Sequence, residues 1–282
     1  MTASPTELLL FYCLAIAGFS LLGGWLPNRV RMTHTRTQLV MSFVSGFMLS
    51  VAFYHLLPHS VGMSGRGMDF SVQWLMAGLI VMLLLLRLFH FHQHDFSHEE
   101  DGHHDHPHPH VHESADHRMS WVGIALGLGL HTLIDGVALG AVMQGSAGIA
   151  AGSGILGVGV FLAILLHKPL DAMSISTIMA VGGWSRGARA LTNLVFALMC
   201  PLGALLFYFG IDLLADDNGL VVAAALAISA GAFICISLSD LLPEVHFHSH
   251  DRLALTVAFL LGIGLAWSVG GVEPAGLHPG AH

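Results

Sequence analysis

The chain has 282 residues, 54% of them hydrophobic and only 10% charged, with a formal net charge of −8 and a mean hydropathy of +0.72. A soluble domain carries about 25% charged residues, so this balance excludes an ordinary soluble domain. It points instead to an all-α polytopic membrane protein, embedded in the lipid bilayer over nearly all of residues 1–282 as one transmembrane domain. Ten basic residues spread thinly along the chain exclude nucleic acid as a partner. Three cysteines, Cys13, Cys200 and Cys235, lie in apolar stretches and read as small buried hydrophobes.

Eight apolar segments are long enough to cross a bilayer, at roughly 6–27, 39–61, 70–90, 120–144, 149–181, 188–211, 219–242 and 253–271. The first lacks a basic residue ahead of its apolar run and is followed by Arg29 and Arg31, which reads as a span rather than a signal peptide. The loops after segments one, three, five and seven carry Arg29, Arg31, Arg36, Arg87, Arg118, Arg186, Arg189 and Arg252, whereas the alternate loops carry Arg66. Positive-inside bias then places both termini on the extracytoplasmic side. A plasma (inner) membrane is the expected location.

Segment two ends in a polar cluster with His55 and His59, placed at the outer, entrance side. After segment three, residues 90–118 hold eleven histidines and seven acidic residues. Such a tract cannot form a core and is expected to be a disordered cytoplasmic loop. His103, His104, His106, His108, His110 and His112 make it a candidate for weak, multi-site metal buffering.

Segments four and five each contain H-x-x-x-D: His131 with Asp135, and His167 with Asp171. Four residues turn a helix by about 400°, so each pair shares a face one turn apart. Two imidazoles and two carboxylates suit a borderline divalent cation such as zinc. Ionisable groups at membrane depth mark an ion path by default. Two carboxylates buried together require a cation or proton between them. Pro169 bends its helix and frees a carbonyl. Lys168 lies about 100° round from His167, where it can set a fixed positive charge in the place of a second cation. Glycines at near-helical spacing in segments four (Gly123, Gly127, Gly129, Gly136, Gly140) and five (Gly148, Gly152, Gly154, Gly157, Gly159) are expected to bring these two helices into close contact.

Segment seven repeats segment two. Gly46 precedes His55-Leu56-Leu57-Pro58-His59 as Gly231 precedes Asp240-Leu241-Leu242-Pro243-Glu244, with nine positions from glycine to polar residue in both. Under the assigned topology the two run in opposite directions, the trace of an inverted repeat. Segments one to three would then pair with six to eight around four and five. Asp240, Glu244, His246, His248 and His250 fall on the inner, exit side.

These residues resemble the ZIP (zinc/iron-regulated transporter-like) family. His131-Thr132-Leu133-Ile134-Asp135-Gly136-Val137-Ala138-Leu139-Gly140-Ala141 matches its H-x-x-x-D-G-x-A-x-G-A signature, and His167 to Asp171 is similar to its partner motif. Phe53-Tyr54-His55-Leu56-Leu57-Pro58 and the stretch from Gly231 to Glu244 resemble its second and seventh helices. The resemblance implies an eight-helix 3+2+3 bundle that imports divalent metal into the cytoplasm, as a homodimer, and is not an enzyme. It implies His131, Asp135, His167 and Asp171 as primary ligands. Thr132 and Lys168 stand where many members carry Asn and an acidic residue of a second metal site, so one metal is expected here. Pro169 comes one residue early, and Asp171 replaces the commoner Glu or His. Zn²⁺ is the favoured substrate, with Fe²⁺, Mn²⁺, Co²⁺ and Cd²⁺ admitted by the same donors.

Two alternatives compete. A cation-diffusion-facilitator exporter also uses H-x-x-x-D pairs and a His-rich loop, but on six spans and usually with a soluble C-terminal domain. An intramembrane metal-dependent hydrolase would use metal-activated water, yet no H-E-x-x-H is present.

Overall fold

A computed structural model describes residues 4–25, 34–90, 113–146, 156–214, 218–241 and 252–271. Among these residues the backbone forms eight long helical elements and no strand. Lipid offers no partner for backbone N–H and C=O groups, so a chain this apolar must satisfy them within each segment. The elements are α1 (Pro5–Trp25), α2 (His34–Val51, continuing through a π turn at Ala52–Leu56 into Leu57–Ser64), α3 (Met68–His90), α4 (Glu113–Ser146), α5 (Val158–Val181), α6 (Arg186–Leu214), α7 (Asn218–Ile236, ending in a π turn at Ser237–Leu241) and α8 (Arg252–Gly270). Among the described residues α1, α2, α3, α5, α6, α7 and α8 are long and apolar enough to cross a membrane. The 34-residue α4 opens on Glu113, Asp116 and Arg118 before its apolar run. The chain is an all-α polytopic membrane protein.

Local chemistry sets several helix ends. Ser4 and Glu7 form a reciprocal capping box at the start of α1, with Ser4 N donating to Glu7 Oε2 at 2.8 Å and Glu7 N to Ser4 Oγ at 3.2 Å. Ser185 Oγ accepts from Ala188 N at the start of α6. Gly65 closes α2 at φ 59°, a left-handed conformation glycine adopts at little cost. Helix α4 begins at Glu113, inside the tract expected to be a loop; residues 91–112 lie outside the described residues.

The most extensive pairings are α2 with α8, α4 with α6, α3 with α7, and α1 with α5. In lipid no hydrophobic force draws helices together, so small residues that admit a close backbone are what secure such crossings. Gly46 of α2 lies on the backbone of Phe259 in α8, and Gly262 of α8 on that of Phe43 and Phe47 in α2. Gly231 of α7 lies on Leu75 and Leu79 of α3, and Gly78 of α3 on Ile228 of α7. A Cβ at any of the four would strike main chain.

The two sets are in register. Gly46 and Gly231 are 185 positions apart, and so are the starts of the two π turns, Ala52 and Ser237. Gly78 and Gly262 are 184 apart. The outer flanks match as well: Gly23 of α1 lies on the backbone of Pro169 in α5, and Gly203 of α6 on that of Leu133 in α4. Leu133 and Pro169 are 36 positions apart, as are His131 and His167.

One expectation is corrected. Gly136 and Gly140 of α4 lie on Cys200 and Ala204 of α6 rather than on α5, and Gly159 of α5 lies against the His55 ring of α2. Gly157, just ahead of α5, does meet Val142 and Met143 of α4, while the surroundings of Gly123, Gly148, Gly152 and Gly154 are outside the described residues. The reason is angular. Gly136 follows Asp135, and one residue is a rotation of about 100°. If Asp135 faces α5, Gly136 faces elsewhere. The glycines therefore leave room between α4 and α5 for side chains. Around that space the main core is packed from Phe47, Met48 and Val51 of α2, Leu139 and Met143 of α4, Val160 and Ile164 of α5, and Phe233 of α7.

Candidate metal centre

Helices α4 and α5 turn His131, Asp135, His167 and Asp171 toward one another. His131 Nε2 lies 3.4 Å from Asp135 Oδ2 and 3.5 Å from Asp171 Oδ2. His167 Nε2 lies 3.2 Å from Asp135 Oδ2 and 3.8 Å from Asp171 Oδ2. The two rings stand 5.5 Å apart, centroid to centroid. His131, Asp135 and His167 are buried, while Asp171 is 12% exposed and forms the open rim. Asp171 reaches the centre from this register even with proline one position early.

The spacings fit a small cation. Zinc bound at about 2.0–2.1 Å in a tetrahedron separates its N and O ligands by roughly 3.3 Å. One donor atom from each of His131, Asp135 and His167 already lies within 4.8 Å of the others.

Hydrogen bonding leaves acceptor atoms around this space without donors. His167 Nδ1 lies 2.6 Å from the carbonyl oxygen of Ala163, one turn earlier in α5. A carbonyl only accepts, so Nδ1 carries the proton and Nε2 of the neutral ring turns its lone pair inward. Both ring nitrogens of His131 and Oδ1 of Asp135 are buried without a hydrogen-bond partner. Buried polar atoms are nearly always satisfied. Lone pairs converging from four side chains, with three atoms unsatisfied, are what a divalent cation would relieve.

Lys168 enters the same pocket. Its Nζ donates to Asp135 Oδ2 at 2.5 Å, to Asp171 Oδ2 at 3.2 Å and to Thr132 Oγ1 at 3.1 Å. Thr132 donates its own proton to the carbonyl of Leu128 at 2.7 Å, leaving its oxygen free to accept from the ammonium. All three N–H donors of Lys168 are thereby used. Lys168 is 1% exposed, so this is a buried ion pair and not a surface one. The pair with Asp171 is local, three residues along α5; the pairs with Asp135 and Thr132 join α5 to α4.

The remaining predicted positions divide. His55 and His59 are both buried in α2. His55 Nε2 lies 3.0 Å from the Ala266 carbonyl of α8, so this side chain ties α2 to α8. Asp240 lies in the π turn at the end of α7, but its side chain is outside the described residues. Glu244, His246, His248 and His250, and the loop histidines from His103 to His112, are also outside them. Sequence reasoning missed two partners, the Ala163 carbonyl and the Phe196 ring of α6, whose centroid is 5.5 Å from Lys168 Nζ. A backbone carbonyl and an apolar residue in an apolar helix leave no mark in sequence.

The family model described as ZIP Zinc transporter matches residues 87–269, which is more than half of the chain and includes the whole centre. The chain belongs to the ZIP family. A zinc transporter named ZIP9 from Micropogonias undulatus is 33% identical over 147 residues, covering 50% of this chain and 45% of that protein. ZIP9-B from Xenopus laevis is 33% identical over 148 residues, 49% of this chain and 46% of its own. ZIP1 from Danio rerio is 29% identical over 136 residues, 48% and 42% of the two chains. The matched part of the chain thus spans about half the length of these relatives. ZIP membership sets aside the cation-diffusion-facilitator family as the source of the paired motifs.

Proposed function

We propose that this ZIP protein carries a divalent cation, zinc foremost, across the membrane into the cytoplasm, through a centre made of His131, Asp135, His167 and Asp171. The observation that carries the reading is the convergence of two imidazole nitrogens and two carboxylate oxygens, each 3.2–3.8 Å from its neighbours, with the nitrogens of His131 unsatisfied. The transported ion is the substrate of this centre rather than a resident cofactor. The Lys168 ammonium occupies the second-cation position, so each protein carries one metal at a time.

The matched registers of α2 with α7 and α3 with α8 support two halves related by inversion in the membrane plane. Such an arrangement suits alternating access, in which one set of helices rocks against the other around a fixed site. The positive-inside bias supports an orientation with both termini outside, and the family resemblance supports a plasma-membrane location and import into the cytoplasm. By family resemblance the protein is a homodimer.

The test is uptake of radioactive zinc into proteoliposomes, with competing Fe²⁺, Mn²⁺, Co²⁺ and Cd²⁺. His131→Ala and Asp171→Ala are expected to abolish uptake in protein that still elutes as a folded species. Wild-type uptake in either variant refutes the assignment.

A further inference from the structure

Lys168 has a neighbour beyond its three hydrogen-bond acceptors. The Phe196 ring of α6 stands 5.5 Å from its Nζ and is itself 3% exposed. Phe196 packs with Ala172, Ile175 and Met179 of α5 and Leu128 of α4, in a small satellite core apart from the main one. The ring is therefore held by the helices that carry the metal ligands. Its electron-rich face attracts a cation, most strongly where water is absent. A lysine has a flexible four-carbon stem, so something must fix where its charge sits.

We propose that Phe196 is a positioning residue for the metal centre. Together with Thr132 it holds the Lys168 ammonium against Asp135 and Asp171, where that charge weakens metal binding and speeds release. The inference rests on the reading of the four-residue centre as a zinc site. The oxygens that accept from Lys168, Asp135 Oδ2 and Asp171 Oδ2, are the same atoms that face both histidine nitrogens. Metal and ammonium must therefore share them. With Lys168 in place the two carboxylates and the ammonium sum to −1, and an arriving divalent ion makes +1. Without it the sum runs from −2 to zero. Like charges sharing two oxygens at membrane depth repel strongly. A transport site must bind well enough to load and weakly enough to empty. A mobile ammonium would swing aside and let the metal settle too deeply; the ring and the threonine prevent that.

The test uses the purified full-length protein, with zinc binding measured by equilibrium titration and transport by uptake into proteoliposomes. Phe196→Leu is expected to bind zinc about three- to tenfold more tightly, the range set by loss of a buried cation–π contact. Its maximal uptake rate falls at the same time. Phe196→Tyr, which keeps the ring face, restores both values. Thr132→Val moves both in the same direction as Phe196→Leu. In a Lys168→Met background, Phe196→Leu adds nothing, because the group it positions is gone. A merely structural role would lower uptake without tightening binding, and would persist in the Lys168→Met background; either result overturns the inference. If Phe196→Leu does not yield folded protein, Thr132→Val decides by the same two readings. If wild-type zinc binding proves independent of His131, the metal-centre reading fails and the inference with it. If binding depends on His131 but both variants leave it unchanged, only the inference fails.

Discussion

At the scale of the residue, the centre is a problem in buried charge. Asp135 and Asp171 cannot both be ionised side by side without compensation, and Lys168 supplies it in the empty state. Removing one partner of such a buried set typically costs about 3–5 kcal/mol, because the other is left uncompensated. Charge reversal should change the occupancy instead. Lys168→Glu would place a third carboxylate beside Asp135, Asp171 and the Thr132 hydroxyl. Metal analysis of the purified variant should rise from about one zinc per chain to about two, since carboxylate oxygens accept a second divalent ion. Unchanged stoichiometry would make Lys168 structural. The motif spacing makes the four converging side chains legible in sequence, because four residues return a helix to the same face. The carbonyl of Ala163 and the ring of Phe196 are not, since neither residue type signals its partner.

At the scale of the element, the helices are fixed by where they lack side chains. Gly46 and Gly231 each occupy a crossing where the facing backbone leaves no room for a Cβ. Both helices then pass into a π turn six residues later, at Ala52 and Ser237. π turns inside helices often accompany functional sites. A side chain forced into such a crossing costs about 1–3 kcal/mol or more, because backbone cannot yield as a flexible side chain would. Gly231→Val should therefore lower the thermal midpoint in detergent, and Gly46→Val should do so to a similar extent. The control is Gly210→Val, in open space on α6, which should leave the midpoint nearly unchanged. Equal midpoints in all three variants would refute the packing argument. The sequence shows that segments two and seven correspond, yet glycine spacing alone misassigns the partner of α4. A glycine stripe marks a close contact without saying which helix provides it.

At the scale of the whole molecule, the proposed orientation rests on charge asymmetry between loops. Arg66 lies at one end of the bundle in sequence terms, Arg186 at the other, and both are exposed. The three native cysteines are buried and in no disulfide, so background labelling should be low. A membrane-impermeant thiol reagent applied to intact cells should label Arg66→Cys and spare Arg186→Cys until the membrane is permeabilised. The reverse pattern would invert the topology and, with it, the direction of transport.

Composition alone determined that this chain is a bundle of membrane helices, because lipid permits little else to so apolar a sequence. Periodicity determined which imidazoles and carboxylates share a face, because helical geometry is local. What only the tertiary structure decided is how those faces meet. Gly136 and Gly140 of α4 are committed to α6, which keeps α4 and α5 far enough apart to hold side chains between them. That spacing lets Lys168 reach Asp135 on the neighbouring helix, a contact across 33 positions that no local rule contains.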